Sequence, residues 1–378
     1  MAKRKYINLE HDAKKRKTCN RNKKGAKEKE DSPVQRITTE KEELLKHPLY
    51  EDYTFQKLDL SLTIMSFILL KQHNYLLIAS QDEIMLTNPT TFECITKIKF
   101  PTENIYHIIE LSNGKIITAC DKRLYMLKLN KKNELEVECC MTMYGRHQSF
   151  GLLETKEKNI ADFRDNYLIL YEPTKLEIIK NVEDFDQGCL FLPKSNIGVT
   201  FRFNKLDLVD LKNLKVKTSI QTEKRSNWKG IILDIETEDR IVVYSSTAFY
   251  VCSTKDKKIL KDFKRVNGIN CIKRLKYKDY VGTSEKDGSV TIFDLKEGVY
   301  DKVNTFALSN INTFFLHEVT EYRIIYNIDK ERFAFVDYVK GTIIYYKNVP
   351  YSKDYRRSIL LPDKRLVAAC SKRLLVIK

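Results

Sequence analysis

The 378-residue sequence is poor in the residues that break or bend a chain, with 12 Gly and 8 Pro, and it holds a single Trp. So little glycine speaks against a Gly-rich cofactor fold, and no G-x-G-x-x-G, Walker loop or G-x-S-x-G occurs. With 42% hydrophobic residues, 21 Tyr and 18 Phe, the chain is not disordered as a whole. Long apolar runs are missing too. The longest, LTIMSFILL at 62–70, is too short to cross a membrane as a helix, and no membrane partner is expected. The nine Cys include no C-x-x-C pair, and no secretory leader is expected before them. Most sit in apolar runs (ITACD, GCLFLP, FYVCST, INCIKRL, LVAACS), which fits buried free thiols in a reducing compartment. Cys139 and Cys140 are adjacent, a poor geometry for a metal, and the six His (11, 47, 73, 107, 147 and 317) never reach zinc-ligand spacing. No metal or cofactor is expected. Carboxylates are plentiful, but they sit in turns such as ETEDR (236–240) and EKD (285–287), where solvation is the expected state.

What the sequence does contain is a repeat. The stretch VGTSEKDGSVTIFDLKEG (281–298) reads as strand, Asp-Gly turn, strand and turn. The same shape occurs in HIIELSNGKIITACDKRLYMLKL (107–129) and in RSILLPDKRLVAACSKRLLVIK (357–378), where ACDKRL at 119–124 matches ACSKRL at 369–374. Weaker copies place equivalent points near 79, 119, 161, 200, 244, 282, 325 and 369, about forty residues apart. Each unit has room for about four short strands, and no long amphipathic helical pattern interrupts them. A four-stranded sheet cannot bury both faces alone, whereas sheets repeated radially cover one another and leave only short edges. The expected fold is all-β: a closed β-propeller of four-stranded blades over 48–378, behind a basic tail over 1–47.

Asp287-Gly288-Ser289-Val290-Thr291-Ile292-Phe293-Asp294 resembles the D-G-[ST]-[IV]-x-[IL]-W-D ending of the WD-repeat family of β-propellers, with Phe293 in place of Trp. Asp287, Gly288, Phe293 and Asp294 carry the motif. No unit has the Gly-His pair of a typical repeat and none keeps Trp-Asp, so the family's His/Ser/Asp/Trp hydrogen-bond network is expected to be missing from most blades. Seven blades are commonest in the family, yet eight hairpins are visible, which favours eight. The family closes its ring by joining N- and C-terminal strands in one blade; the alternating segment YTFQKLDL at 53–60 is the candidate closing strand.

The formal charge is +16, and residues 1–30 hold twelve Lys and Arg against four Asp and Glu. Lys3-Arg4-Lys5 and Lys14-Lys15-Arg16-Lys17 resemble a bipartite nuclear-import signal, which implies an import receptor as partner and a nuclear or nucleolar location. A solubilising tail on a cytoplasmic protein is the competing reading. The tail is also the candidate for RNA contact. Ser32-Pro33 has the form of a phosphorylation site beside it, and TTEKEELLKH (38–47) has a capping-box pattern that predicts a short helix.

Two connections between units combine aromatic and basic residues of the kind enriched at binding hot spots: Tyr144 and Arg146 in MYGRHQSF, and Lys224, Arg225 and Trp228 in QTEKRSNWKG. In the family, such connections open onto the face that commonly receives partners. Trp228 also suits an inner strand packed between blades. No catalytic residue is assigned. A channel site gathered from several blades is the one kind of enzyme site that local motifs do not reveal. The leading expectation is a non-enzymatic, nuclear protein-interaction scaffold. The alternatives are an RNA-associated assembly factor, for example in ribosome biogenesis, and a ubiquitin-ligase substrate receptor, although the Trp-Asp-x-Arg ending of such receptors is absent.

Overall fold

Short apolar runs cut by Asn, Lys, Asp and Gly make strands wherever a neighbouring sheet can cover them. Among the described residues, thirty-two strands form eight antiparallel four-stranded sheets, each a run of adjacent strands. The computed structural model describes residues 54–378 apart from 61–62, 101–102, 143–148, 165–166, 184–186, 203, 223–228, 265–267, 308–315, 321, 328–331, 349–356 and 371. No helix occurs among the described residues; the tail and the helix expected at 38–47 lie outside them.

Blades 1 to 7 span 66–99, 105–142, 149–182, 187–221, 229–264, 269–307 and 316–348. Blade 8 combines Arg357–Leu360, Leu366–Cys370 and Arg373–Ile377 with Phe55–Asp59 as its outer strand. The register of that seam runs from Phe55 opposite Ile377 to Asp59 opposite Arg373. It is extended by paired backbone bonds between Thr54 and Lys378 (3.1 and 3.0 Å) and fixed by Arg373 Nε donating to Asp59 Oδ1 at 2.7 Å. The eight periodic points from 79 to 369 all fall in the second strand of a blade, so the ring has eight blades and not seven.

The core is divided in the same way. Eight buried clusters each join two consecutive blades, from Leu70 and Leu86 against Ile105 and Leu127 to Leu76 and Ile78 against Val367 and Val376, which joins blade 1 to blade 8. Each fully buried aliphatic side chain contributes about 1.5–3 kcal/mol, so stability is shared around the ring.

First strands neighbour one another around the axis, and the ring has two faces. The turns between strands one and two, and between three and four, gather on one side, here the turn face. The turns between strands two and three meet the connections between blades on the other, here the connection face: Ile105 N donates to Gln81 O (3.2 Å), Thr222 N to Asn204 O (2.7 Å) and Ile269 N to Ser246 O (2.6 Å).

Two backbone features repeat where the sequence does not. A β-bulge falls between strands three and four of seven blades, at 86/87, 126/127, 170/171, 208/209, 251/252, 292/293 and 335/336. Bulges increase the local twist that a propeller blade needs. All thirteen non-glycine residues with positive φ among the described residues, such as Asn74, Lys158, Lys257 and Tyr322, lie in turn-face turns.

The turn face also carries a series of clasps between blades. Glu110 accepts from the amides of Lys71 (2.6 Å) and Gln72 (3.2 Å) in the turn of the preceding blade. Glu154 takes Ser112 N at 2.7 Å, Asn196 takes Lys156 N at 3.2 Å, and Glu318 takes Lys276 N at 2.8 Å. Glu238 takes the amides of Lys194 (2.9 Å) and Ser195 (2.7 Å) together with the Ser195 hydroxyl (2.5 Å). Glu236 and Asp287 face solvent as expected of ETEDR and EKD, but one other carboxylate in each stretch departs from that expectation. Glu238 and Glu285 are buried, because each has hydroxyl or amide donors that replace water.

Candidate interaction surface

The blade 6 motif shows how the connection face is held. Asp287 Oδ1 accepts from the amide (3.0 Å) and hydroxyl (2.7 Å) of Ser289, and Gly288 takes φ +82°, a conformation that the absence of a Cβ makes easy. Phe293 is buried where the family has Trp, and its ring meets Phe249 and Phe263 edge-on at 5.2 Å, joining blades 5 and 6. Asp294 Oδ1 accepts from Lys296 N at 2.9 Å on the turn face.

The family's His/Ser/Asp/Trp network is absent as such among the described residues, but three blades carry a different buried or half-buried polar set. In blade 2, Asp121 accepts from Asn104 N at 3.2 Å and from the Tyr106 hydroxyl, while Glu103 takes Lys122 N at 3.0 Å. Burial and then the Asp121 carboxylate push the Tyr106 phenol up to about 12. In blade 3, Ser149 Oγ donates to Asp162 at 2.6 Å, Arg164 pairs with the same carboxylate, and Arg164 reaches Cys120 O of blade 2 at 3.1 Å. In blade 6, Thr291 Oγ1 donates to Glu285 at 2.8 Å and Thr283 Oγ1 at 3.3 Å. These carboxylates hold strands and connections in place, with Glu103, Asp162 and Glu285 buried and Asp121 half-buried.

Around the axis, His317 of blade 7 shares a 3.1 Å hydrogen bond, through Nδ1, with Ser358 Oγ of blade 8. Burial and then the charges of Lys273 and Lys276 lower its pKa to about 4, so the ring is neutral at pH 7. Burial raises the thiols of Cys120 and Cys252 well above the ordinary range, which makes them unreactive packing residues. Among the described residues, no group of three or more His, Cys, Asp or Glu is placed to hold a metal ion.

Tyr144 and Arg146 fall in the connection between blades 2 and 3, and Lys224, Arg225 and Trp228 in that between blades 4 and 5; all five lie outside the described residues. So do Lys3, Arg4, Lys5, Lys14, Lys15, Arg16 and Lys17. Sequence reasoning missed the clasp residues and the aromatic pair Tyr277 and Tyr322, whose rings meet edge-on at 4.9 Å across blades 6 and 7. The clasps had a signal, an Asn or Glu recurring about every forty residues at 110, 154, 196, 238 and 318, in phase with the blades.

No protein-family model matches the chain, and no curated protein sequence matches it. Among solved structures, the C-terminal WD40 domain of Sif2 superposes with a TM-score of 0.67 at 12% identity, over 85% of this chain and 97% of that one. Sqt1 of Saccharomyces cerevisiae does so with a TM-score of 0.70 at 11% identity, over 85% and 97%. With eight sheets closed through a seam strand and the Asp287–Asp294 ending in blade 6, the chain has the fold of a WD40 β-propeller.

Proposed function

We propose that this protein is a non-enzymatic interaction scaffold that docks other proteins on the connection face and works in the nucleus. The observation that carries the reading is the closed WD40-type ring, whose buried carboxylates are engaged in holding blades and connections together. A rigid ring that presents connections from every blade on one face is a platform for partners. Tyr144, Arg146, Lys224, Arg225 and Trp228 supply the anchors, and the clusters at 3–5 and 14–17 supply import.

One observation favours a second reading, an RNA-associated assembly factor. Twelve basic residues against four acidic ones in 1–30 form a polyanion-binding arm regardless of what the ring does. A pull-down of the tagged full chain from nuclear extract, with and without RNase, separates the two. The scaffold reading expects a few stoichiometric partners that survive RNase and are lost from the R225A/W228A variant. Loss of the whole set on RNase treatment moves the protein onto an RNA particle. Replacing Lys14, Lys15, Arg16 and Lys17 with Ala is expected to shift a tagged protein out of the nucleus; unchanged accumulation sinks the import role.

A further inference from the structure

The turns between strands three and four do more than reverse the chain. In blades 1, 3, 4 and 6 a large apolar residue stands one or two positions before strand four: Phe92, Leu176, Leu214 and Tyr300. All four take positive φ, from 49° to 61°. Each packs with the core shared with the preceding blade: Phe92 with that of blades 8 and 1, Leu176 with that of 2 and 3, Leu214 with that of 3 and 4, and Tyr300 with that of 5 and 6. In blades 2, 5 and 7 the same place holds Asn133, Lys257 and Gly341.

Blade 8 is built differently. Its third strand is Arg373–Ile377 and its fourth is Phe55–Asp59, so the two come from distant parts of the sequence and no short turn joins them. At the turn-face end of the core that it shares with blade 7 lies a cleft of about 320 Å³, whose lining includes Val319, Leu366, Ile377 and Lys378. Leu366 and Ile377 belong to that core, and Val319 packs against it. Asp363 and Arg365 also line the cleft, but they are engaged. Arg365 Nε donates to Asp363 at 2.7 Å, and its terminal nitrogens donate to Pro89 O (2.7 Å) and Thr90 O (3.2 Å) of blade 1. What the cleft offers is therefore the apolar surface of Val319, Leu366 and Ile377. An apolar cavity of about 150 Å³ holds a benzene ring, so a large aromatic side chain fits here.

The chain supplies one at the right place. Thr54 and Lys378 exchange backbone hydrogen bonds of 3.1 and 3.0 Å, one step beyond the Phe55–Ile377 pair. Lys378 lines the cleft, so the chain passes from Thr54 to Tyr53 at its rim. Tyr53 itself is just outside the described residues. It stands two positions before strand four, the spacing of Phe92 before Cys94 and of Leu176 before Ile178. No loop has to be closed to bring it there, because consecutive Cα atoms are about 3.8 Å apart.

From this convergence we infer that the cleft is the seat of Tyr53, which takes at the seam the place that Phe92 and Leu176 take in continuous turns. Its ring covers Val319, Leu366 and Ile377 and latches the seam strand to the core of blades 7 and 8, at the end opposite the Arg373–Asp59 pair. The latch concerns ring closure and is independent of the scaffold reading.

The test is NMR on the full chain with isotope-labelled Ile, Leu and Val methyl groups. Nuclear Overhauser effects are expected from the Tyr53 ring to the methyls of Val319, Leu366 and Ile377. Y53A is expected to shift those methyls, to leave those of Leu176 and Leu214 in place, and to lower the urea midpoint. Y53F is expected to keep the wild-type midpoint, because the ring and not the hydroxyl fills the cleft; Y50A is expected to change neither readout. p-Cresol, the tyrosine side chain as a free molecule, is expected to move the three methyls in Y53A and not in the wild type. If Y53A unfolds too readily to be read, the wild-type Overhauser effects and the exclusion of p-cresol from the wild type carry the test. Absence of Overhauser effects from Tyr53 overturns the proposal. So does p-cresol moving the three methyls as strongly in the wild type as in Y53A, which would leave the cleft open to the side chain of another molecule, and so do Overhauser effects from Tyr50 in place of Tyr53.

Discussion

A carboxylate at the tip of a turn ordinarily faces water, and Glu238 does not. It is buried and accepts from two amides and a hydroxyl of the preceding blade. Removing it leaves those donors unpaired at a blade boundary, so Glu238→Ala is expected to lower stability by about 2–3 kcal/mol in urea unfolding. A loss below half a kilocalorie would mean that water replaces the clasp. His317 makes the opposite kind of demand. Its folded pKa, about 4, lies below the ordinary 6.5, because burial and then Lys273 and Lys276 disfavour the charged ring. Between those values the unfolded chain takes up a proton that the folded chain refuses. Its contribution is therefore unaffected above pH 6.5, and stability falls as the pH drops toward 4, by about 3 kcal/mol in all. The His317→Asn variant should lose this part of the pH dependence, seen as a smaller difference between unfolding free energies at pH 7 and pH 4.5. An identical difference in both proteins removes His317 from the account.

At the scale of the element, the repeat survives in backbone shape more than in residue identity. Turn-face turns place Asn74, Lys158, Lys257 and ten other non-glycine residues in the left-handed region. Such a residue gives up about 1 kcal/mol that glycine does not. Lys257 is exposed at φ 58°, so Lys257→Gly is expected to raise stability by about 0.5–1 kcal/mol in the same unfolding assay. Destabilisation instead would mean that the Lys side chain makes contacts worth more than the strain. Turn shape of this kind tolerates many sequences, which is why the copies between blades 1 and 8 look so unlike one another. The strands themselves were legible, since alternation and short apolar runs report burial directly. The points at 79, 119 and 161 mark second strands because those strands are buried on both faces. The clasps were not legible as contacts. Glu110 and Lys71 are 39 positions apart, and their meeting follows only once two blades are side by side.

For the whole molecule, eight inter-blade cores make a ring in which each blade depends on two neighbours. The Asp-Gly turn of blade 6 and the forty-residue period carried most of the fold in the sequence, because they report local geometry. The candidate interaction residues were a different matter. Tyr144, Arg146, Lys224, Arg225 and Trp228 were chosen for residue chemistry, while Tyr277 and Tyr322 come together only through the packing of blades 6 and 7. Closure depends on Phe55–Asp59 pairing with Arg373–Ile377, and no other described strand covers that edge. The most direct measurement is hydrogen exchange, with a urea melt, on a chain lacking residues 1–60 beside the full chain. A ring closed by this strand gives the shortened chain a lower midpoint and fast exchange at 373–377, spreading into the cores that blade 8 shares with blades 7 and 1. An unchanged midpoint with 373–377 still protected would contradict a ring closed by this strand.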